Sequence, residues 1–168
     1  LQDVTTGLCD NSNKDLTVDS GFSSYLWNTG ATTNTINITS AGEYTVTVTN
    51  AQGCQKTKKI IVKPSGIATI TDAKVTNFAG AENTVTIYYI GNGDFQFSLG
   101  GNDYQDNPVF TGLEAGTYWA VARDKNGCGT SASYKVYVLD YPRFFTPNND
   151  GYNDTWKIKN LDTLPKSS

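Results

Sequence analysis

Apolar and polar residues alternate with period two through most of this chain. The pattern is clearest in Tyr44-Thr-Val-Thr-Val-Thr49 and recurs in Lys58 to Val62, Thr84 to Ile90 and Tyr134 to Val138. Alternation enriched in Val, Ile, Thr, Tyr and Phe is the signature of strands with one face buried. Shorter runs, Leu16-Thr-Val18, Tyr25-Leu-Trp27, Thr35-Ile-Asn-Ile38, Ala68 to Val75, Phe95 to Leu99 and Val109-Phe110, are separated by Gly, Ser, Asn and Thr turns. One stretch is repeated. Ser40 to Cys54 aligns without gaps on Glu114 to Cys128, with Ala, Gly, Tyr, Gly and Cys coinciding. Each copy meets a Gly-containing turn, Ala51-Gln-Gly53 or Lys125-Asn-Gly127, and then a second alternating stretch. Each therefore reads as the last hairpin of a sandwich domain.

This pattern predicts an all-β protein of two tandem Ig-like β-sandwich domains, since short strands at this spacing with turn signals between them suit that fold. Lys63-Pro-Ser-Gly66 interrupts the alternation where the repeat requires a boundary, so it is read as a linker. The first domain is then 1–63 and the second 64–140. Residues Tyr141 to Trp156 differ in kind. Pro142, Pro147 and an Asn-Asn-Asp-Gly turn alternate with large aromatics, which reads as extended backbone and a tight turn outside the sandwich pattern.

Composition narrows the function. The 168 residues contain neither histidine nor methionine. Lacking histidine, the chain has no imidazole to act as general base or metal ligand. The lack of an initiator methionine reads as a fragment or a processed chain. A net charge of −3 and a pI near 4.8 provide no basic face for nucleic acid. No apolar run approaches the roughly 20 residues that span a bilayer as a helix. Gly-rich phosphate loops, G-x-S-x-G elbows and Cys-x-x-Cys pairs are also missing from the sequence. Cys9, Cys54 and Cys128 permit one bridge and leave one thiol.

Two resemblances sharpen the reading. Tyr25 to Val62 resembles the Y-x-W-x-T-G-A-T-T … A-G-x-Y-x-V-x-V-T-N-x-x-G-C repeats of large bacterial surface proteins, which are Ig-like or PKD-like modules. Phe144 to Ile158 resembles the F-F-T-P-N-x-D-G-x-N-D-x-W-x-I opening of the C-terminal sorting domain of type IX secretion cargo, of the type B kind linked to gliding motility. Together they imply a non-enzymatic, extracellular cell-surface adhesin fragment. Its Ig-like repeats would form a stalk, and residues 141–168 would begin a β-rich sorting domain that continues past Ser168. The alternative parent is a secreted hydrolase with this stretch as its accessory tail. The resemblance implies that Phe144, Phe145, Thr146, Pro147, Asn148, Asp150, Gly151, Asn153, Asp154 and Trp156 are recognised by outer-membrane type IX components. It also implies a disulfide between Cys9 and Cys54, two buried thiols being the other reading. Cys128 would remain free and structural.

Other residues carry weaker signals. Tyr44 and Tyr118, each two residues after a Gly, suit a tyrosine corner, in which the hydroxyl bonds to backbone a few residues upstream. Trp27 reads as core. Trp119 lies beside Tyr118 and therefore on the opposite face, where it reads equally as packing or as a sugar-stacking platform for a surface glycan. Of the neighbours Tyr88 and Tyr89, alternation exposes one. Asn148 to Asp154 is similar to a calcium loop in its oxygen side chains and its glycine, but offers only Asp150 and Asp154 as carboxylates. It reads either as a hydrogen-bonded Asx turn or as a modest calcium site on that pair.

Overall fold

The structure, a computed structural model, describes residues 1–79, 82–151 and 154–165. It is all-β. The strands are β1 (Val4–Cys9), β2 (Lys14–Thr17), β3 (Ser24–Trp27), β4 (Thr35–Ile38), β5 (Gly42–Thr49), β6 (Gln55–Ser65), β7 (Thr69–Thr76), β8 (Asn83–Ile90), β9 (Phe95–Leu99), β10 (Val109–Leu113), β11 (Gly116–Asp124) and β12 (Tyr134–Val138). The chain divides into two compact units. The first comprises Leu1–Ile67 with the short segments Gly91–Asp94 and Asp124–Gly129; the second comprises Ala68–Ile90, Phe95–Arg123 and Thr130–Ser168.

In the first unit a sheet ordered β1-β6-β5-β3 faces the β2-β4 pair. The alternating positions meet between them: Leu8, Leu16, Trp27, Ile36, Ile38, Val46, Val48, Ile60 and Val62 form one buried cluster. The outward positions of β5 are threonines, and the Thr47 and Thr57 hydroxyls bond across the strands at 2.9 Å. Trp27 is 2% exposed. Its indole N–H donates to the Thr33 carbonyl at 2.8 Å, which satisfies the one polar atom that burial of the ring would otherwise strand.

In the second unit the sheets are β10-β8-β7 and β12-β11-β9. Their core is Val85, Ile87, Phe95, Phe97, Ala120, Ala122, Val136 and Val138. The repeat alignment survives in three dimensions. The Tyr44 hydroxyl donates to the Ser40 carbonyl at 2.8 Å, and the Tyr118 hydroxyl donates to that of Glu114 at 2.9 Å. Both are tyrosine corners at the start of equivalent strands, a feature of Ig-like sandwiches.

Three expectations are corrected. The boundary after Lys63 falls inside β6, which pairs in parallel with β1 as far as Cys9↔Ser65. Proline is tolerated there because the β5–β6 ladder ends at Gly42↔Val62, so β6 is bonded on one side only beside Pro64. The described residues after Asp140 also cluster with the second unit instead of standing apart.

The third correction concerns the disulfide. Cys9 is bonded to Cys128, not Cys54, and Cys54 is free and exposed. Strand register explains why. Cys9 lies opposite Ser65 at one end of β6, whereas Cys54 directly precedes Gln55 at the other. Eleven residues of strand at roughly 3.3 Å each separate the two by about 35 Å, far beyond the reach of a bridge. Cys128 has no cysteine before it within its own repeat, yet it is not free. Its partner comes from the first strand of the chain.

A buried carboxylate sits beside that bridge in the first unit. Asp124 is 3% exposed and Ser65 1%. Asp124 accepts hydrogen bonds from the Ser65 hydroxyl at 2.9 Å, the Cys128 N–H at 3.1 Å, the Asp94 N–H at 3.3 Å and the Asn126 amide at 3.4 Å. Burial alone would raise its pKa. The donors from Cys128, Ser65, Asn126 and Asp94 outweigh burial and hold it below the usual aspartate value. Asn126 also accepts from the Gly7 N–H at 3.1 Å, and a Cβ on Gly7 would lie 2.4 Å from the Asn126 side chain, so the close approach requires glycine there.

Candidate functional site

Beyond β12 the second unit carries the segment singled out by its motif. Among the described residues from Tyr141 to Pro165 there is no strand. There is an isolated bridge, Asp140↔Lys159, and one 3₁₀ turn, Leu161–Thr163. Pro142 and Pro147 have no N–H to give a ladder, which disfavours sheet pairing in the first part. The strand region implied for the opening of a sorting domain is therefore not formed here.

The segment is a loop with pinned ends. The Lys159 N–H donates to the Asp140 carbonyl at 2.6 Å, and the Asn160 side-chain amide donates to the Val138 carbonyl at 3.2 Å. Asn160 takes a left-handed backbone (φ 65°), and the Thr163 hydroxyl donates to its Oδ1 at 2.7 Å. Rings stack at the base of the loop. Tyr141 lies 6.2 Å from Phe78 at an interplanar angle of 25°, and 6.2 Å from Trp156 at 34°.

The middle of the segment is a polar turn. The Asn148 N–H donates to the Thr146 carbonyl at 2.8 Å. The Asn148 side-chain amide donates to Asp150 Oδ2 at 2.7 Å. Asp154 accepts the Asn149 N–H on Oδ1 at 2.6 Å and the Gly151 N–H on Oδ2 at 2.7 Å. Asn149 (φ 60°) and Gly151 (φ 88°) supply the left-handed residues the turn needs. A calcium ion takes six to eight oxygens, and each Asp154 oxygen already accepts one backbone N–H. Asn153 lies outside the described residues.

The aromatic positions of the motif are left in solvent. Phe144 is 69% exposed, Phe145 51% and Trp156 52%. Large apolar side chains grouped on a surface mark sites of interaction more often than isolated ones do. The Thr146, Pro147, Asn148, Asp150, Gly151 and Asp154 positions shape the turn between them. The structure thus brings the motif residues into one loop, with its carboxylates engaged in the turn and its rings outward.

The weaker candidates divide. Trp119 is 48% exposed, as its opposition to inward Tyr118 requires. Lys135, its cross-strand partner, holds Nζ 5.3 Å from the Trp119 ring centre and 5.1 Å from that of Tyr137. Tyr88 and Tyr89 are both exposed, at 47% and 39%, where alternation exposed only one. A bulge between Ile70 and Asp72 in the partner strand interrupts the pairing there, and Tyr89 rests its ring on Phe95 and Phe97 at centroid distances of 5.6 and 4.8 Å. Among the described residues no three His, Cys, Asp or Glu side chains are grouped to hold a metal ion, and no helix is long and apolar enough to cross a membrane.

The features sequence reading missed are Asp124 and Phe78. Asp124 was detectable, since the repeat aligns it with Asn50, whose Oδ1 accepts the Gln52 and Cys54 N–H groups at 3.0 and 2.9 Å. Nothing in the local sequence of Phe78 signals its contact with Tyr141.

No protein-family model matches the chain. No curated protein matches it either. Among solved structures it is similar to the N-terminal four Ig domains of Dscam1 isoform 4.4, at 13% identity and a TM-score of 0.39, over 81% of this chain and 42% of that one. It is similar also to murine CEACAM1b, at 14% identity and a TM-score of 0.39, over 79% of this chain and 95% of that one. The chain thus spans 42% of the length of the Dscam1 fragment.

Proposed function

We propose that this chain is a non-enzymatic piece of an extracellular surface protein, with Ig-like sandwiches as spacer units and residues 141–165 as a type IX secretion recognition segment. The observation that carries the reading is the joint one in the Phe144 to Ile158 stretch. Its residue order matches the opening of such sorting domains, and Phe144, Phe145 and Trp156 are held outward on a loop with pinned ends. A disulfide fits the reading, because disulfides persist outside the reducing cytosol. The partner is an outer-membrane component of the export machinery, and the parent is a surface adhesin of the gliding-motility kind.

The test is export of the parent protein from a type IX-competent cell. Deleting residues 141–168, or changing Phe144 and Phe145 together to Ala, should retain the protein inside. Undiminished export of the deletion variant would remove the assignment.

A second reading has one observation in its favour. The Trp119 ring is 48% exposed, with Lys135 Nζ 5.3 Å from its centre, and an exposed indole is a side chain on which sugars stack. Glycan-array binding that is lost on Trp119→Ala would support an adhesive role for this face; no binding to any glycan would end it.

A further inference from the structure

We propose that Phe78, far outside the export motif, is a positioning residue for it, acting through Tyr141 on Trp156. The inference rests on the reading of that segment given above. Phe78 has φ 63°, in the left-handed region that a bulky residue enters at a cost and that Gly or Asn enters readily. The conformation is held from both sides. The Phe78 N–H donates to the Leu139 carbonyl at 3.1 Å, and Asn77 Oδ1 accepts the Leu139 N–H at 2.7 Å. On the other side the Ala79 N–H donates to Asn83 Oδ1 at 2.9 Å, and fully buried Asn83 donates in turn to the Leu113 carbonyl at 3.0 Å.

Backbone strain is kept where something over-determines it, and its use is read from what the strained residue touches. The Phe78 ring gains no core burial, being 43% exposed. Its ring contact is the stack on Tyr141, which continues to Trp156. Tyr141 and Trp156 stand at the two ends of the loop that the Asp140–Lys159 bridge closes. Phe78 thus completes a three-ring ladder across the base of the loop and fixes the direction in which Phe144 and Phe145 leave it.

The test separates ring from backbone. Phe78→Gly and Phe78→Asn accept the left-handed conformation and delete the ring, while Phe78→Tyr keeps it. Amide hydrogen exchange on the full 168-residue chain should show residues 139–144 and 154–160 exchanging about three- to tenfold faster in the Gly and Asn variants, the range expected for losing one aromatic pair. Exchange in β8 and β11 should be unchanged, and Phe78→Tyr should restore the segment. Unchanged segment exchange in both ring-deleted variants would overturn the proposal. In the export assay Phe78→Gly should lower secretion of the parent, with rescue by Phe78→Tyr. If deleting 141–168 leaves export intact, the export reading falls and exchange still decides the positioning role. If deletion blocks export but the ring-deleted variants exchange normally, the positioning role falls and the export reading stands.

Discussion

Reduction of the Cys9–Cys128 disulfide should release a large and specific length of chain under force. The two cysteines are 119 residues apart in sequence, and every strand from β2 to β11 lies between them. With the bridge intact, pulling on the termini can extend only residues outside it. With the bridge reduced, 119 residues at about 3.3–3.6 Å each add about 400 Å of contour length. A Cys9–Cys54 bridge would hide only 45 residues and release about 150 Å, so the two pairings differ by a margin that single-molecule extension resolves easily. The equilibrium effect is also large. In the chain-entropy account a loop of this size stabilises by about 5 kcal/mol, an upper figure because β1–β6 pairing and residual unfolded-state structure already limit the ends. Urea unfolding of Cys9→Ser, Cys128→Ser and the double variant should therefore show one shared loss of about 3–5 kcal/mol rather than two additive ones. Cys54→Ser, altering an exposed thiol, should cost less than about 0.5 kcal/mol. A length gain near 150 Å on reduction, or a Cys54→Ser loss as large as that of Cys9→Ser, would refute the pairing.

Three further outcomes follow from single residues. Asp124 has a lowered folded pKa, so its contribution to stability is fully present above its unfolded value and is lost as pH falls through the folded one. Urea midpoints measured from pH 7 to pH 2 should therefore show an acid limb that Asp124→Asn flattens, at a cost of about 1.5–3 kcal/mol near neutrality; parallel acid limbs in the two proteins would contradict this. Trp27→Phe removes the donor to the Thr33 carbonyl and should cost about 1–3 kcal/mol, with Trp27→Ala nearer 3–5 because a cavity is added; a neutral Ala variant in thermal or urea unfolding would mean that the ring is not core. Asp154→Ala frees the N–H groups of Asn149 and Gly151 and should speed their exchange, whereas millimolar calcium should leave wild-type exchange at 148–151 unchanged if the loop is an Asx turn alone; slowing by calcium would favour a site on Asp150 and Asp154.

Period-two alternation was enough to read the strands from β2 to β12, because each sheet has one face on the core and side chains that alternate about it, but β1 (Val4–Cys9) was not read. Trp27 and the corner tyrosines were legible for a related reason, since each solves a local burial problem within its own hairpin. The boundary was not legible. Pro64 looks like punctuation, and only knowing which neighbours β6 has at that level shows why proline fits. The Cys9 pairing failed for the same reason: it depends on the parallel register of β1 on β6, a contact across more than fifty residues that no local pattern encodes. In the segment after β12 the turn chemistry of Asn148, Asp150, Gly151 and Asp154 was readable. The ladder was not, because Phe78 enters it from a turn some sixty residues earlier.

The internal repeat shows how one local solution acquires a second role once it is buried. Asn50 and Asp124 stand at equivalent places and use a side-chain oxygen to receive the N–H of the cysteine four residues on. At Asn50 the turn is in solvent and a neutral amide suffices. At Asp124 the turn residues are also exposed, but the carboxylate itself is buried beside Ser65, Asn126 and the Asp94 N–H, so several donors converge on one side chain. An amide oxygen accepts fewer and weaker bonds than a carboxylate, and its NH₂ would face those donors. The charge is therefore a consequence of enclosure, and the turn it orders is the one that presents Cys128 to Cys9. On this argument Asn50→Asp should be nearly neutral for stability while Asp124→Asn is costly, even though the two positions are aligned in the sequence.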